Sequence, residues 1–392
     1  MARPKISMDR VVAAMERDGL DALVAAGPEN VFYLSDLPVS PVSSNRLLFV
    51  VRSSSPSFCV VTRNGDAKLV MTSAAVDLAR ANSWVSEFRT YKTGTYIVRP
   101  KALVSKDVAA DPLQALVKTV QEDRKIGKVG IDSKMASASI VDGFRSLLRG
   151  SKVVDSSILF ELLRMIKSKE EIARFVKAND IVCRAINKVI GEARVGTRED
   201  ELHNILKSSI LNDGGTLWQQ TTIASGPENG PDIYAQPTSR KLTKGDIIRL
   251  DIGGVYKGYT ADLSRTLAVG EASAEARKIY RVLRDAEQIL VDECKPGVKA
   301  SHLHGLVVKY VKKHLDSGYE RGNVGHGVGV DLYDRPFISA NDDTEMQAGM
   351  TLSLEVPYHK VALGGFNVED SVLVRENDVK LVSDLPRELI IV

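Results

Sequence analysis

The sequence predicts two domains, an α/β domain followed by an α+β domain, and three observations lead there. The chain has 392 residues, more than a single hydrophobic core usually serves. Up to about residue 155, short apolar runs alternate with helical stretches. Beyond it, two pairs of amphipathic helices separate strand-rich segments at 220–270 and 322–391, the pattern of helices packed on a mainly antiparallel sheet. We place the boundary between residues 157 and 158, giving domains 1–157 and 158–392.

In the first domain, residues 8–17 have the periodicity of a short helix, with Gly19 as its cap. The run Asp21–Ala26 reads as a strand ended by Gly27 and Pro28. Further strands are expected at Arg46–Val51, Phe58–Thr62 and Lys128–Asp132, with helices near 74–81, 111–122 and 139–149. Ser168-Lys169-Glu170-Glu171 is a capping box that opens a helix with apolar positions Ile172, Phe175, Val176, Cys183, Ile186, Val189 and Ile190. Thr197-Arg198-Glu199-Asp200 opens a second. Helices at 274–293 and 301–315 complete the pairs, and His314 falls on the stripe of the latter with Leu303, Val307 and Val311, as helix surface or core and not as a ligand.

Composition narrows the function. Hydrophobic residues make up 44% and charged residues 26% of the chain, so the whole length is expected to fold. With 53 basic against 50 acidic residues and no basic run, nucleic-acid binding is disfavoured. Cys59, Cys183 and Cys294 are too far apart for a disulfide framework or a thiolate metal site, and Cys183 reads as a core thiol. The N-terminus lacks the apolar region of a secretory signal, and no stretch approaches the ~18 apolar residues of a membrane span. A cytoplasmic protein with no membrane partner is expected.

The chemistry is carried by five residues. Ile247–Ile252 and Tyr259–Thr266 flank a Gly-rich turn and read as a hairpin; with the turn centred on Tyr256 and Lys257, Asp251 and Asp262 become direct cross-strand partners about 5 Å apart. A second hairpin, with Thr351–Val356 and Phe366–Leu373 flanking Gly364-Gly365, sets Glu355 opposite Glu369. Between them lies His326, within Gly325-His326-Gly327-Val328-Gly329. Asp is disfavoured in strands, and facing carboxylates repel, unless a cation bridges them. Four carboxylates and one imidazole form an oxygen-rich site suited to a pair of divalent ions, manganese, cobalt, zinc or iron, two ions balancing four negative charges.

At these residues the sequence resembles the pita-bread metallopeptidases, a family that includes Xaa-Pro aminopeptidases, prolidases, methionine aminopeptidases and metal-free creatinases. The resemblance covers a creatinase-like N-terminal domain, the linker Leu163–Ile172, the Ser225-Gly226-Pro227 motif and all five metal-ligand positions. It implies a creatinase-like α/β domain before a pita-bread catalytic domain, and a homodimer. It also implies a dinuclear hydrolase in which a hydroxide bridging the metals attacks the scissile carbonyl while Glu355 shuttles the proton. The expected substrate is a dipeptide, short peptide or peptide-like small molecule cleaved at a C–N amide bond.

The sequence departs from the family at four neighbouring positions. Two histidines of the peptidase members, 17 residues before the first metal Asp and seven after the metal His, are Tyr234 and Tyr333 here. A third is Gly322, and an Arg two before the last metal Glu is Asn367. Among the remaining histidines, His359 is placed to compensate. Tyr234 and Tyr333 are therefore candidate catalytic donors alongside Glu355, because a hydroxyl of pKa about 10 stays neutral and can donate to an oxyanion. The changed surroundings point away from ordinary prolyl specificity. Two other readings follow from the same fold: a non-peptide C–N hydrolase or lyase acting on a small metabolite, and a catalytically inactive binding module.

Overall fold

The computed structural model describes residues 5–38, 56–92, 108–123 and 126–392; the strand expected at 46–51 lies outside them. The chain divides into two compact units, Met1–Arg164 and Met165–Val392.

In the first unit, seven described strands form one sheet: β1 (Ala22–Ala25), β2 (Phe58–Thr62), β3 (Ala67–Thr72), β4 (Glu87–Tyr91), β5 (Val108–Ala109), β6 (Lys128–Ile131) and β7 (Lys152–Asp155). Their order is β5-β4-β3-β2-β1-β6-β7. The β1–β2 and β2–β3 pairs are antiparallel and the others parallel. Parallel neighbours need crossovers, which include helices Pro112–Gln121 and Ala138–Leu147. Helix Met8–Arg17 ends at Gly19, whose φ of 65° lets the chain turn into β1. β1 gives way to Gly27 and Pro28, the latter at the first position of helix Pro28–Ser35. That turn is bound to the end of β6 by Asp132, which is fully buried and accepts from Ala26 N (2.6 Å), Gly27 N (2.8 Å) and Asn30 Nδ2 (2.8 Å). A Cβ at Gly27 would lie 2.3 Å from Met135 Cβ, so only glycine fits against the β6 loop.

The second unit opens with the expected capping box: Glu171 N donates to Ser168 Oγ and Ser168 N to Glu171 Oε2, starting helix Lys169–Glu192. Its strands are β8 (Thr216–Ser225), β9 (Ile247–Tyr256), β10 (Tyr259–Ala268), β11 (Asn323–Gly327), β12 (Asp334–Ser339), β13 (Thr351–Glu355), β14 (Tyr358–Lys360), β15 (Gly364–Phe366), β16 (Glu369–Val374), β17 (Val379–Leu381) and β18 (Ile390–Ile391). Nine of them form one sheet in the order β12-β11-β13-β16-β10-β9-β8, with β17 beside β16 and β18 beside β10. Every pairing is antiparallel except β10–β18. The fold class is thus the expected one.

Period two divides the sheet's faces. Ile248, Leu250, Ile252, Ala261 and Leu263 pack with Val182, Ile186, Leu202 and Leu206 of helices Lys169–Glu192 and Glu199–Asn212. Leu352, Leu354, Val372 and Val374 pack with Leu283, Leu290, Leu303 and Val307 of helices Ala274–Glu293 and Ala300–His314. Cys183 is buried in the first cluster, as a core thiol, and His314 is exposed on the outer face of its helix, stacked near Tyr310. The strand residues between these apolar ones, Asp251, Asp262, Ser353, Glu355 and Glu369 among them, face the other side.

Two details differ from the sequence reading. The β9–β10 turn is centred on Lys257 and Gly258, so Asp262 pairs with Gly253 and Asp251 with Ser264. Both turn residues have positive φ, 46° and 79°, as a two-residue type I′ turn demands, and glycine meets that demand where the bulkier Tyr256 would not. Asp251 and Asp262 are therefore diagonal neighbours on one face instead of direct partners. The run Phe366–Leu373 is also divided: β15 pairs with β14, while β16 pairs with β13 and brings Glu369 opposite Glu355.

A candidate metal centre on the sheet

The polar face of β9, β10, β11, β13 and β16 carries all five predicted residues. His326 reaches it because Gly325, at φ 147°, bends β11. His326 then pairs with Ser353, although Val324 lies in the helix-side core. A Cβ on Gly325 would stand 2.5 Å from Ser353 O, and one on Gly327 2.1 Å from Arg335 O, so the glycines on either side of His326 are required by backbone contact.

Donor atoms of Asp262, His326 and Glu369 lie within 4.8 Å of one another. His326 Nε2 is 3.6 Å from Asp262 Oδ2. Its Nδ1 is 3.1 Å from Gly327 O, a bond that needs the proton on Nδ1 and leaves the Nε2 lone pair aimed at the acids. Burial pushes the imidazole pKa down to about 4, so the ring is neutral. Glu369 accepts from Ser353 Oγ at 2.8 Å and from Asn367 Nδ2 at 3.5 Å. Asp251 and Glu355 stand apart from this trio, each beside an arginine. Arg249 Nη1 is 3.6 Å from Asp251 Oδ2, and Arg321 Nη2 donates at 3.2 Å to both oxygens of Glu355.

Burial, and then the charge of neighbouring acids, raises Asp262 and Glu369 well above the ordinary carboxylate range. Asp251 and Glu355 are also raised by withdrawal from water, an effect that Arg249 and Arg321 respectively oppose. Four acids gathered on one face, Asp262 and Glu369 buried and Asp251 and Glu355 partly so, are costly without a counter-charge. The donor set, oxygen-rich with one neutral imidazole, fits a divalent transition-metal ion.

The tyrosines are placed differently. Tyr333 is 50% exposed, but its ring centroid is 4.3 Å from that of His326, and its hydroxyl is raised by partial burial first and then by the charges of Asp262, Glu355, Glu369 and Asp251, so it remains a protonated donor. Tyr234 is 73% exposed, in a segment between the ends of β8 and β9. Both ends of that segment are fastened to Glu199, which is fully buried and accepts from Ser225 N, Ser225 Oγ and Asn229 Nδ2 on one side and from Thr238 N and Thr238 Oγ1 on the other. His359 lies on β14 opposite Gly365, pushed down to about 4 by burial and then by Arg249 and Arg321.

Sequence reasoning missed Arg249 and Arg321. Arg249 had a signal: it stands two residues before Asp251 on the same strand and so shares its face. Arg321 precedes β11 in irregular chain, its carbonyl held 2.7 Å from His304 Nε2, and no periodicity points to it.

Residues 173–376 match metallopeptidase family M24, and residues 8–166 match the creatinase/prolidase N-terminal domain. The chain belongs to metallopeptidase family M24. The resemblance read from the motifs holds, and so does the expected class, a metallopeptidase-like hydrolase. The Xaa-Pro dipeptidase of Pyrococcus furiosus is 26% identical over 388 residues, which are 98% of this chain and 100% of the relative. The crystal structure of a Xaa-Pro dipeptidase from Bacillus anthracis superposes with a TM-score of 0.82 at 22% identity, over 98% of this chain and 99% of the other. That of the X-Pro aminopeptidase from Thermotoga maritima gives 0.81 at 21% identity, over 98% and 99%. At such identities the two structures speak to the M24 fold. Membership in the family implies divalent metal ions, and the Asp262, His326 and Glu369 trio is where the donor atoms converge.

Proposed function

We propose that this M24 protein is a metal-dependent hydrolase that cleaves the C–N amide bond of a dipeptide, short peptide or peptide-like small molecule. Asp251, Asp262, His326, Glu355 and Glu369 are its metal ligands. The observation that carries the reading is the convergence of Asp262, a neutral His326 and Glu369 on one buried point, with two further acids on the same face. The centre is assigned two divalent ions of the manganese, cobalt, zinc or iron class. Such ions supply water activation and carbonyl polarisation.

The chain's own residues supply the rest. Glu355 is assigned the proton transfer to the leaving nitrogen, a role supported by Arg321, whose Nη2 donates to both its oxygens. Tyr333 donates its O–H toward the developing oxyanion. Tyr234, out on its exposed segment, is assigned to substrate contact and not to proton transfer. Tyrosine in place of two imidazoles is the basis for assigning non-prolyl or smaller substrates. The homodimer belongs to the same proposal, on the resemblance alone.

The test is a panel of dipeptides and N-acyl amino acids, prolyl and non-prolyl, assayed with added manganese, cobalt or zinc, with products identified. Metal-dependent amide hydrolysis supports the reading. Absence of turnover across the panel in a metal-loaded protein would move the assignment to non-peptide substrates. Tyr333→Phe is expected to lower kcat about 10²-fold at unchanged metal content; an unchanged kcat would remove Tyr333 from the chemistry.

Metal binding should depend on pH with a definite sign. Asp262 and Glu369 hold protons more tightly than ordinary carboxylates, so an ion must displace them, and apparent affinity rises with pH, by about tenfold per unit for each proton released. His326, at about 4, does not compete above pH ~5. Calorimetric titrations across the pH range in which the protein stays folded check this, and an affinity independent of pH throughout would contradict it.

A further inference from the structure

Beside the centre stand donor groups that the metal assignment does not use. Arg249 is 2% exposed; its Nη2 donates to Asp232 O at 2.7 Å, and its Nη1 lies 3.6 Å from Asp251 Oδ2. Arg321 donates from Nη2 to both oxygens of Glu355, and its side chain is 33% exposed. Among the described residues, Arg249 Nε, Arg321 Nε and His359 Nδ1 are buried atoms with no hydrogen-bond partner. Buried polar atoms are nearly always paired, so three in one neighbourhood point to a missing acceptor.

The β14–β15 hairpin brings the three together. His359 pairs with Gly365, and cross-strand partners share a face. On that face a Cβ at Gly365 would stand 3.2 Å from Arg249 Nε, so glycine admits the guanidinium beside the imidazole. Arg321 is tied to the start of β14 through Tyr319, two residues before it. Tyr319 Oη donates to Pro357 O at 3.2 Å, and its ring stacks on that of Tyr358 with centroids 6.4 Å apart. His359 therefore lies between the two arginines, and burial, then both guanidinium charges, keep its ring neutral.

These groups select a ligand by chemistry. Arginine cannot lose its proton in a protein, and a neutral imidazole still offers one N–H. A cationic group is repelled here, and a neutral one leaves the charges unanswered. A planar carboxylate matches the paired N–H groups of a guanidinium.

Resting on the hydrolase reading above, we propose that Arg321, backed by Arg249 and His359, forms a carboxylate-binding position beside the centre, and that the substrate is a small peptide carrying a free carboxylate near its scissile amide. Arg321 makes the contact, because part of its side chain is open to solvent. Arg249, anchored on Asp232 O, adds its charge from behind. The carboxylate is supplied by the C-terminus of a dipeptide or by an acidic side chain.

The experiment compares Ala-Ala, Ala-Ala amide and Ala-Glu α-amide as substrates of the manganese-loaded chain, for the wild type, Arg321→Met and Arg321→Lys, each checked for folding by circular dichroism. The wild type should favour a carboxylate-bearing peptide over Ala-Ala amide by about tenfold or more in kcat/KM. Preference for Ala-Ala assigns the carboxylate to the C-terminus, and preference for Ala-Glu α-amide assigns it to the side chain. Arg321→Met should remove the preference through KM, and Arg321→Lys should keep part of it. Any effect of Arg321→Met that passes through Glu355 falls on all three peptides alike, so the ratio isolates the carboxylate. Equal kcat/KM for the three in the wild type, or a preference that Arg321→Met leaves intact, would overturn the proposal.

A binding measurement stands apart from turnover. In calorimetric titration the wild type should bind N-acetylglycine about tenfold or more tightly than N-acetylglycinamide, and Arg321→Met should lose that margin. A margin unchanged in Arg321→Met would put the carboxylate on the metal and overturn the proposal. An Arg321-dependent margin without turnover of any peptide would support the carboxylate position and remove only the hydrolase reading.

Discussion

Asp262→Asn is expected to empty the metal centre and to abolish metal-dependent turnover while leaving the fold intact. The side chain is 10% exposed, and its Oδ2 is the atom that faces His326 Nε2. The strand does not depend on that carboxylate: Ser353 Oγ and Ser371 Oγ both bind the Asp262 carbonyl, which asparagine retains. Loss of a group that merely supports a metal ligand typically costs about 10–100-fold in affinity or activity, and loss of a ligand from a trio should exceed that. A second readout separates this from simple damage. In the metal-free protein Asp262 is one of several acids raising one another's proton affinity, so a neutral amide in its place adds no repulsion, and the metal-free variant should melt no lower than metal-free wild type. A variant that keeps a tightly bound ion would contradict the assignment.

Arg265→Leu should produce the largest loss of stability. Arg265 lies on the core side of β10, fully buried, and donates to Asp370 Oδ1 at 2.6 Å, to Glu369 O and Ser264 O at 2.8 Å and to Pro386 O at 2.7 Å. It thereby binds β10, β16 and the chain before β18 through one side chain. Removing one partner of a buried pair leaves the other uncompensated, which typically costs about 3–5 kcal/mol; Arg387 Nε, 3.0 Å from Asp370 Oδ2, offsets part of that. Because the bond to Glu369 O holds the start of β16, metal affinity should fall too. Urea denaturation with an unchanged slope but a lower midpoint is the expected result, and a cost below about 1 kcal/mol would show that the network is replaceable.

The legible parts of the molecule were those in which a local rule and the tertiary structure agree. Helix starts such as Ser168–Glu171 follow from side-chain capping, which acts over four residues and needs no partner elsewhere. The Glu355 and Glu369 pairing followed from two strands of matched pattern, and β13 and β16 are indeed adjacent. The β9–β10 register shifts by one position in the turn because the Gly-rich stretch 253–258 offers several centres by pattern alone, and Lys257 and Gly258 are the pair that takes positive φ. Even so, Asp251 and Asp262 stay on one face, since moving the turn by one residue shifts the partner by two. Arg321 was illegible for a different reason. It lies 34 residues from Glu355 in irregular chain, and only the crossing of β11 beside β13 brings the two together.

Glu199 has a consequence for how this protein can change. One carboxylate from a helix on the core side closes both ends of the segment from Ser225 to Thr238, so the residues between the two knots contribute little to sheet assembly. Within the segment only the exposed positions are free: Ile233 and Tyr234 can be exchanged, while Ser225, Asn229 and Thr238 hold the knots, Gly226, Gly230 and Ala235 have no room for larger side chains, and the Asp232 carbonyl anchors Arg249. For directed evolution Ile233 and Tyr234 are the positions to randomise, because both side chains are exposed and neither ties a knot to Glu199.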